Sequence, residues 1–178
     1  MILGLGITTF TLLHVLVSLV GLVAGLVVVG GLLSGRRLDG WTATFLVATV
    51  LTNVSGFAFP FVRFLPSHGV GIISLLILPV VILAFYGKRL AGRWRTIYVV
   101  GAVAALYFNA FVLVAQLFLR VPALRALAPT QQESPFLFTQ LLILAMFVLL
   151  GRAALTGFAA EVAPGPNTAA ARQAAPVV

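Results

Sequence analysis

The chain has 178 residues, 62% of them apolar and 8% charged, with a formal net charge of +8. Soluble domains carry about 25% charged residues, so this composition excludes a water-facing surface. The basic excess is not a nucleic-acid footprint, because Arg and Lys fall in short clusters between apolar runs, and the absence of cysteine removes disulfides, iron–sulfur clusters and thiolate metal sites.

Charges cut the chain into uncharged stretches at 1–35, 40–62, 64–87, 96–119 and 134–151. A helix needs about 20 apolar residues to cross the hydrocarbon core. The expected fold is therefore an all-α membrane bundle of five, and at least four, transmembrane helices. The spans fall at about 8–33, 41–60, 68–87, 96–119 and 134–152, the last being the shortest. Residues 1–158 form one bundle, and the Ala- and Pro-rich stretch 159–178 reads as a disordered tail. The first stretch has no basic n-region and meets its first charge at Arg36, so it is a retained span rather than a cleaved signal.

Local signals punctuate these elements. Gly35 follows the first span as a C′ residue, Asp39 is placed to cap the second and Ser67 the third. Pro79 frees the Leu75 carbonyl and should kink the third. Residues 120–130 suit one or two turns lying on the membrane surface, with Leu124 and Leu127 in lipid and Arg125 in water. The fifth helix starts at a Thr130-x-x-Glu133 capping box or at Ser134-Pro135, which puts proline at N1.

With five spans, one side carries Arg36, Arg37, Lys88, Arg89, Arg93, Arg95, Arg152 and Arg172, and the other carries Arg63, Arg120 and Arg125. The positive-inside rule then puts the N-terminus outside and the C-terminus in the cytoplasm. Trp41 and Trp94 both fall on the expected cytoplasmic edge.

Polar side chains inside lipid are costly, so their placement is the functional signal. On the first helix Thr11, His14, Ser18, Gly21 and Gly25 share a face, and Gly21 and Gly25 form a G-x-x-x-G for close helix packing. The second carries Thr42, Thr49, Thr52, Asn53 and Gly56, the third Ser74, the fourth Asn109 and Gln116, the fifth Thr139 and Gln140. His14, Asn53, Ser55, His68, Ser74, Gln116 and Gln140 fall in the expected outer half and Asn109 near the middle, which suggests a polar pocket facing the periplasm. Candidate ligand-binding residues are His14, Asn53, Asn109, Gln116 and His68. The competing reading is glue between helices, at about 0.6 kcal/mol per bond. Two imidazoles could clamp a haem b, although His14 and His68 differ in depth by roughly 10 Å. A quinone needs only one of them.

No carboxylate lies within a span, Asp39 and Glu133 fall on opposite sides, and no hydrolase, nucleotide-binding or zinc motif is present. No catalytic residue and no metal ligand is assigned. The strings RRLDGWTATFL (36–46), SGFAFPF (55–61), GVGIISLLIL (69–78) and LYFNAFVLVAQLFLRVPALRALAPTQQESPF (106–136) resemble a group of small multi-pass bacterial inner-membrane proteins. The resemblance covers residues 10 to 152. It implies a bacterial inner membrane and brings no activity or site residues. Three functional readings follow. The first is a bundle that binds an apolar or redox ligand, such as quinone or haem, in its outer half. The second is an accessory subunit that docks on a membrane-protein partner through its G-x-x-x-G face or outer loops. The third is a small-solute transporter or channel acting as a homo-oligomer. The lipid bilayer is the expected partner, and nucleic acid is not expected.

Overall fold

A computed structural model of the chain describes residues 4–60 and 66–160. The helices are α1 (Ile7–Leu33), α2 (Asp39–Gly56), α3 (Pro66–Ile82, prolonged by a π-helical turn Leu83–Gly87), α4 (Arg93–Arg120), α5 (Pro122–Leu127) and α6 (Ser134–Ala160). No β-strand is found among the described residues. Four helical segments have the length and apolarity to cross a membrane: Ile7–Leu33, Ser67–Gly87, Arg93–Arg120 and Ser134–Phe158. The chain is therefore an all-α, multi-pass membrane protein.

The helix lacking from that set is α2. It is 18 residues long and carries the Asp, Asn, Ser and four of the Thr residues that dilute its hydropathy. It nevertheless runs antiparallel along α1: Ser55 meets His14, Thr49 lies against Gly21, Phe45 against Gly25 and Leu38 against Gly31. The same alternation continues through the bundle. Asn53 of α2 reaches Ser74 of α3, Phe85 beside α3 packs on Tyr98 of α4, and Phe118 of α4 packs on Phe136 of α6. At the far end Gly157 of α6 sits against the Leu33 carbonyl of α1. The bundle thus has two ends, one marked by His14 and one by the arginines of the 34–38 and 88–92 turns.

Several ends obey the local signals and others do not. α1 closes in a Schellman motif, with Gly35 at φ +73°, Arg36 N–H on the Gly31 carbonyl at 2.7 Å and Gly35 N–H on Leu32 at 3.2 Å. Asp39 lies inside the first turn of α2 and pairs with Arg37, while Leu38 takes the N-cap without a side-chain bond. α2 stops at Gly56 rather than 60, and α3 starts one residue before Ser67. α6 runs well past Arg152, because Ala153–Ala160 is rich in helix formers and buries Ala154 and Phe158. A charge can snorkel from a continuing helix, so Arg152 marks depth and not an end. α5 provides the expected surface turn, with Leu127 and Arg125 exposed. The expected tail falls almost wholly outside the described residues, as does Arg63.

The packing is inverted relative to a soluble protein. Leu78, Val81, Val99 and Leu106 are completely buried in the centre, yet Phe138, Leu142, Leu149 and Leu76 point outward, about 70% exposed. In water such a face would drive aggregation; in lipid it is the required solvent contact. The buried polar residues Thr42, Thr49, Ser74 and Gln140 face neighbouring helices. Thr42 Oγ1 bonds Tyr98 OH at 3.0 Å and ties α2 to α4.

Candidate functional site

His14 occupies the inward side of α1, two turns from Gly21 towards the chain start. Its Nδ1 lies 2.8 Å from Ser55 Oγ on α2, and its ring meets Phe59 edge-on at 5.2 Å. Phe59 in turn packs on Phe10, one turn before His14, at 5.1 Å. Gly56 also faces the imidazole, and a methyl there would make an ordinary contact with His14 Cε1 at 3.8 Å. Ser55 Oγ also donates to the Thr52 carbonyl at 3.2 Å. A hydroxyl has one proton to give, so with that proton on Thr52 the bond to the histidine is donated by Nδ1–H. Nε2 is left with a lone pair and no hydrogen-bond partner among the described residues.

Below this pair runs a polar ladder centred on α2. Asn53 Nδ2 donates to the Thr49 carbonyl at 2.8 Å and to Ser74 Oγ at 3.2 Å. Asn109 Nδ2 on α4 donates to Thr49 Oγ1 at 3.2 Å. Thr49 and Ser74 are fully buried. Three of the five candidate residues, His14, Asn53 and Asn109, therefore converge on one helix. Asn53 spends both of its amide N–H groups and Asn109 one on protein partners, which is the chemistry of helix association. His14 alone keeps an uncommitted ring nitrogen.

Gln116 and His68 stand apart. Gln116 is exposed and accepts from Arg120 Nε at 3.2 Å. His68 lies beside Phe57, ring centroids 6.0 Å apart. The helix-packing residues fall as their spacing implies: Gly21 and Gly25 are covered by Ala48, Thr49, Phe45 and Leu106, and Ser18 Oγ donates to the His14 carbonyl at 2.7 Å. Sequence spacing marks Ser55, Thr49 and Ser74 as polar residues of their helices but not as candidate site residues, and it does not single out Phe59 at all. Each is a partner, and partnership across helices has no signature within one helix. Thr52 Oγ1 is buried next to this group with no hydrogen-bond partner among the described residues.

Two cavities lie at the opposite end of the bundle. One of about 510 Å³ is a groove between α2 and α3, and one of about 620 Å³ is walled by Arg37, Asp39, Phe85, Tyr86 and Arg89. Among the described residues no group of three or more His, Asp or Glu side chains could hold a metal ion.

The fold and the polar ladder define a class: a small α-helical, multi-pass membrane protein with a polar ladder between its helices. Comparison with protein-family models, with curated proteins and with solved structures finds no match to this chain.

Proposed function

We propose that this is a five-span protein of the bacterial inner membrane that binds an apolar ligand through its polar head at His14. The observation that carries this reading is the anchored imidazole: Nδ1 lies 2.8 Å from Ser55 Oγ, and with the Ser55 proton assigned to the Thr52 carbonyl the Nε2 lone pair stays unspent. A bare acceptor beside two phenylalanine rings suits a ligand with an aromatic or apolar body and a hydroxyl donor. A quinol has that pattern. A haem clamped by two histidines is less well supported, because His14 engages Phe59 and Ser55 while His68 packs against a different ring, Phe57. The reading as an accessory subunit loses one of its docking faces, since Gly21 and Gly25 are covered within the chain. The transporter reading needs several copies, because Leu78, Val81, Val99 and Leu106 leave a dry centre in one.

α2 serves as the fifth span in this reading. Much of its low hydropathy comes from Thr42, Thr49, Asn53 and Ser55, which bond to α1, α3 and α4, while Val47, Leu51 and Val54 present apolar surface outward. The test is quinol binding to the purified full chain in lipid nanodiscs, measured by retention of menaquinol or ubiquinol after washing. His14→Phe should abolish retention with the bundle intact, and Ser55→Ala should weaken it about tenfold, the worth of one good hydrogen bond. Equal retention by wild type and His14→Phe would exclude the His14 site.

A further inference from the structure

The seam between α2 and α3 is closed at the His14 end, where Asn53 reaches Ser74 and Phe57 lies over Gly71. Towards the arginine end it opens into the groove lined by Val50, Leu75, Leu78, Ile82, Leu83 and Tyr86. The sequence explains the opening. Pro79 gives no N–H to the helix, and the wider π-helical turn Leu83–Gly87 carries Tyr86 and Gly87 to the groove wall. From Leu75 to Gly87 the groove follows α3 for roughly 18 Å at 1.5 Å per residue. Half of a hydrocarbon core about 30 Å thick is ~15 Å. The groove therefore has the depth of one leaflet.

At its foot lies the second cavity, and Tyr86 is a wall of both. Arg37 lies over the Phe85 ring at 4.4 Å, and Asp39 engages only its Nε, which leaves the terminal guanidinium donors for another anion. Arg89 has a left-handed backbone, φ +48°, and no side-chain partner among the described residues. Two guanidiniums against one carboxylate leave a single positive charge. That complements one phosphodiester, whereas the ammonium of a zwitterionic headgroup would meet the same arginines with repulsion.

We propose that these two cavities are one site for an anionic phospholipid, its phosphate on Arg37 and Arg89 and one acyl chain in the α2/α3 groove. The site is independent of the His14 reading and lies at the other end of the bundle. Head and tail are both specified: the charge without the groove would attract any phosphate, and the groove without the charge any acyl chain. Lipid in the seam also completes the packing that Pro79 and the π-helical turn leave undone.

The test is native mass spectrometry of the full chain titrated with phosphatidylglycerol or with phosphatidylcholine of the same acyl length. Phosphatidylglycerol should be retained about tenfold better, and Arg89→Gln should reduce its retention about tenfold, the value of one charge-assisted contact. Leu83→Trp, which fills the groove from an exposed position, should lose the lipid as well. Lys88→Gln is the charge control, because the Lys88 ammonium sits over Trp94 at 5.7 Å and does not line either cavity. Equal retention of the two lipids, or wild-type retention by Arg89→Gln, overturns the site. Loss in Arg89→Gln with full retention in Leu83→Trp would reveal a phosphate site without an acyl seat, and overturns the proposal too.

Discussion

Gly25 and Gly30 sit on the same helix and carry different burdens. A methyl on Gly25 would come within 2.6 Å of Leu106 Cδ1 and 2.9 Å of the Phe45 ring, whereas a methyl on Gly30 meets nothing within 4 Å. Gly25→Ala should therefore destabilise the bundle by about 1–3 kcal/mol through overpacking. Gly30→Ala should leave it unchanged or slightly firmer, since alanine is the better helix former by about 1 kcal/mol. Thermal unfolding of the two variants in detergent gives the comparison. Similar melting temperatures would mean that α1 and α2 do not approach as closely as Phe45 and Gly25 imply. The G-x-x-x-G was legible as a contact face, but its partner was not, because spacing within one helix says nothing about which neighbour fills it.

At the scale of the element, the start of α6 shows how one side chain fixes an entry. Glu133 Oε1 accepts from Thr130 Oγ1 at 2.8 Å and from Thr130 N–H at 3.2 Å, Oε2 accepts from Gln132 N–H at 3.1 Å, and the Glu133 carbonyl takes the first helical bonds. Partial desolvation works to raise the Glu133 pKa, and these hydrogen bonds outweigh it and hold the carboxyl below its usual range. A carboxyl with a depressed folded-state pKa adds stability that is present above the unfolded value and lost as pH falls through the folded one. Amide exchange at Thr130 and Gln132, followed from neutral pH downward, should show protection fading below the usual carboxylate range. Glu133→Ala, which removes both acceptor oxygens, should lack that protection at neutral pH. Protection that persists unchanged in acid would remove the carboxylate from the cap. α2 is the long helix outside the spanning set: Thr42, Thr49, Asn53 and Ser55 lower its mean hydropathy, and their bonds to Tyr98, Asn109, Ser74 and His14 turn them towards neighbouring helices.

For the whole molecule, the antiparallel order places the 34–38 and 88–92 turns and the last turns of α6 at one end, with His14 and α5 near the other. Arg36, Arg37, Lys88, Arg89 and Arg93 all belong to the first end. In the five-span arrangement proposed above, the positive-inside rule turns that end towards the cytoplasm. A reporter fused after Val178 should be active in the cytoplasm, and one inserted at Pro129 should be active only outside. The reverse pattern would invert the bundle, and cytoplasmic activity at both sites would remove α6 as a span.

What the sequence determined by itself was the solvent and the set of helices: charges at Arg36, Lys88 and Arg120 delimit apolar runs of spanning length, and lipid leaves a backbone of that composition no choice but helix. The inward faces were legible too, because Thr11, His14 and Ser18 repeat at steps of three and four. The extent of α6 was not, because a snorkelling Arg152 looks like an end until Gly157 is seen packed on Leu33. Only the tertiary structure decided the pairings. It gave His14 its Ser55, tied Asn53 and Asn109 to the Thr49 and Ser74 positions of neighbouring helices, and left Gln116 facing outward with Arg120. It also opened the α2/α3 seam beside Tyr86. The reason is physical: periodicity fixes the direction in which a side chain leaves its own helix, while its partner depends on the rotation and depth of another helix, and those follow from the packing of the whole bundle.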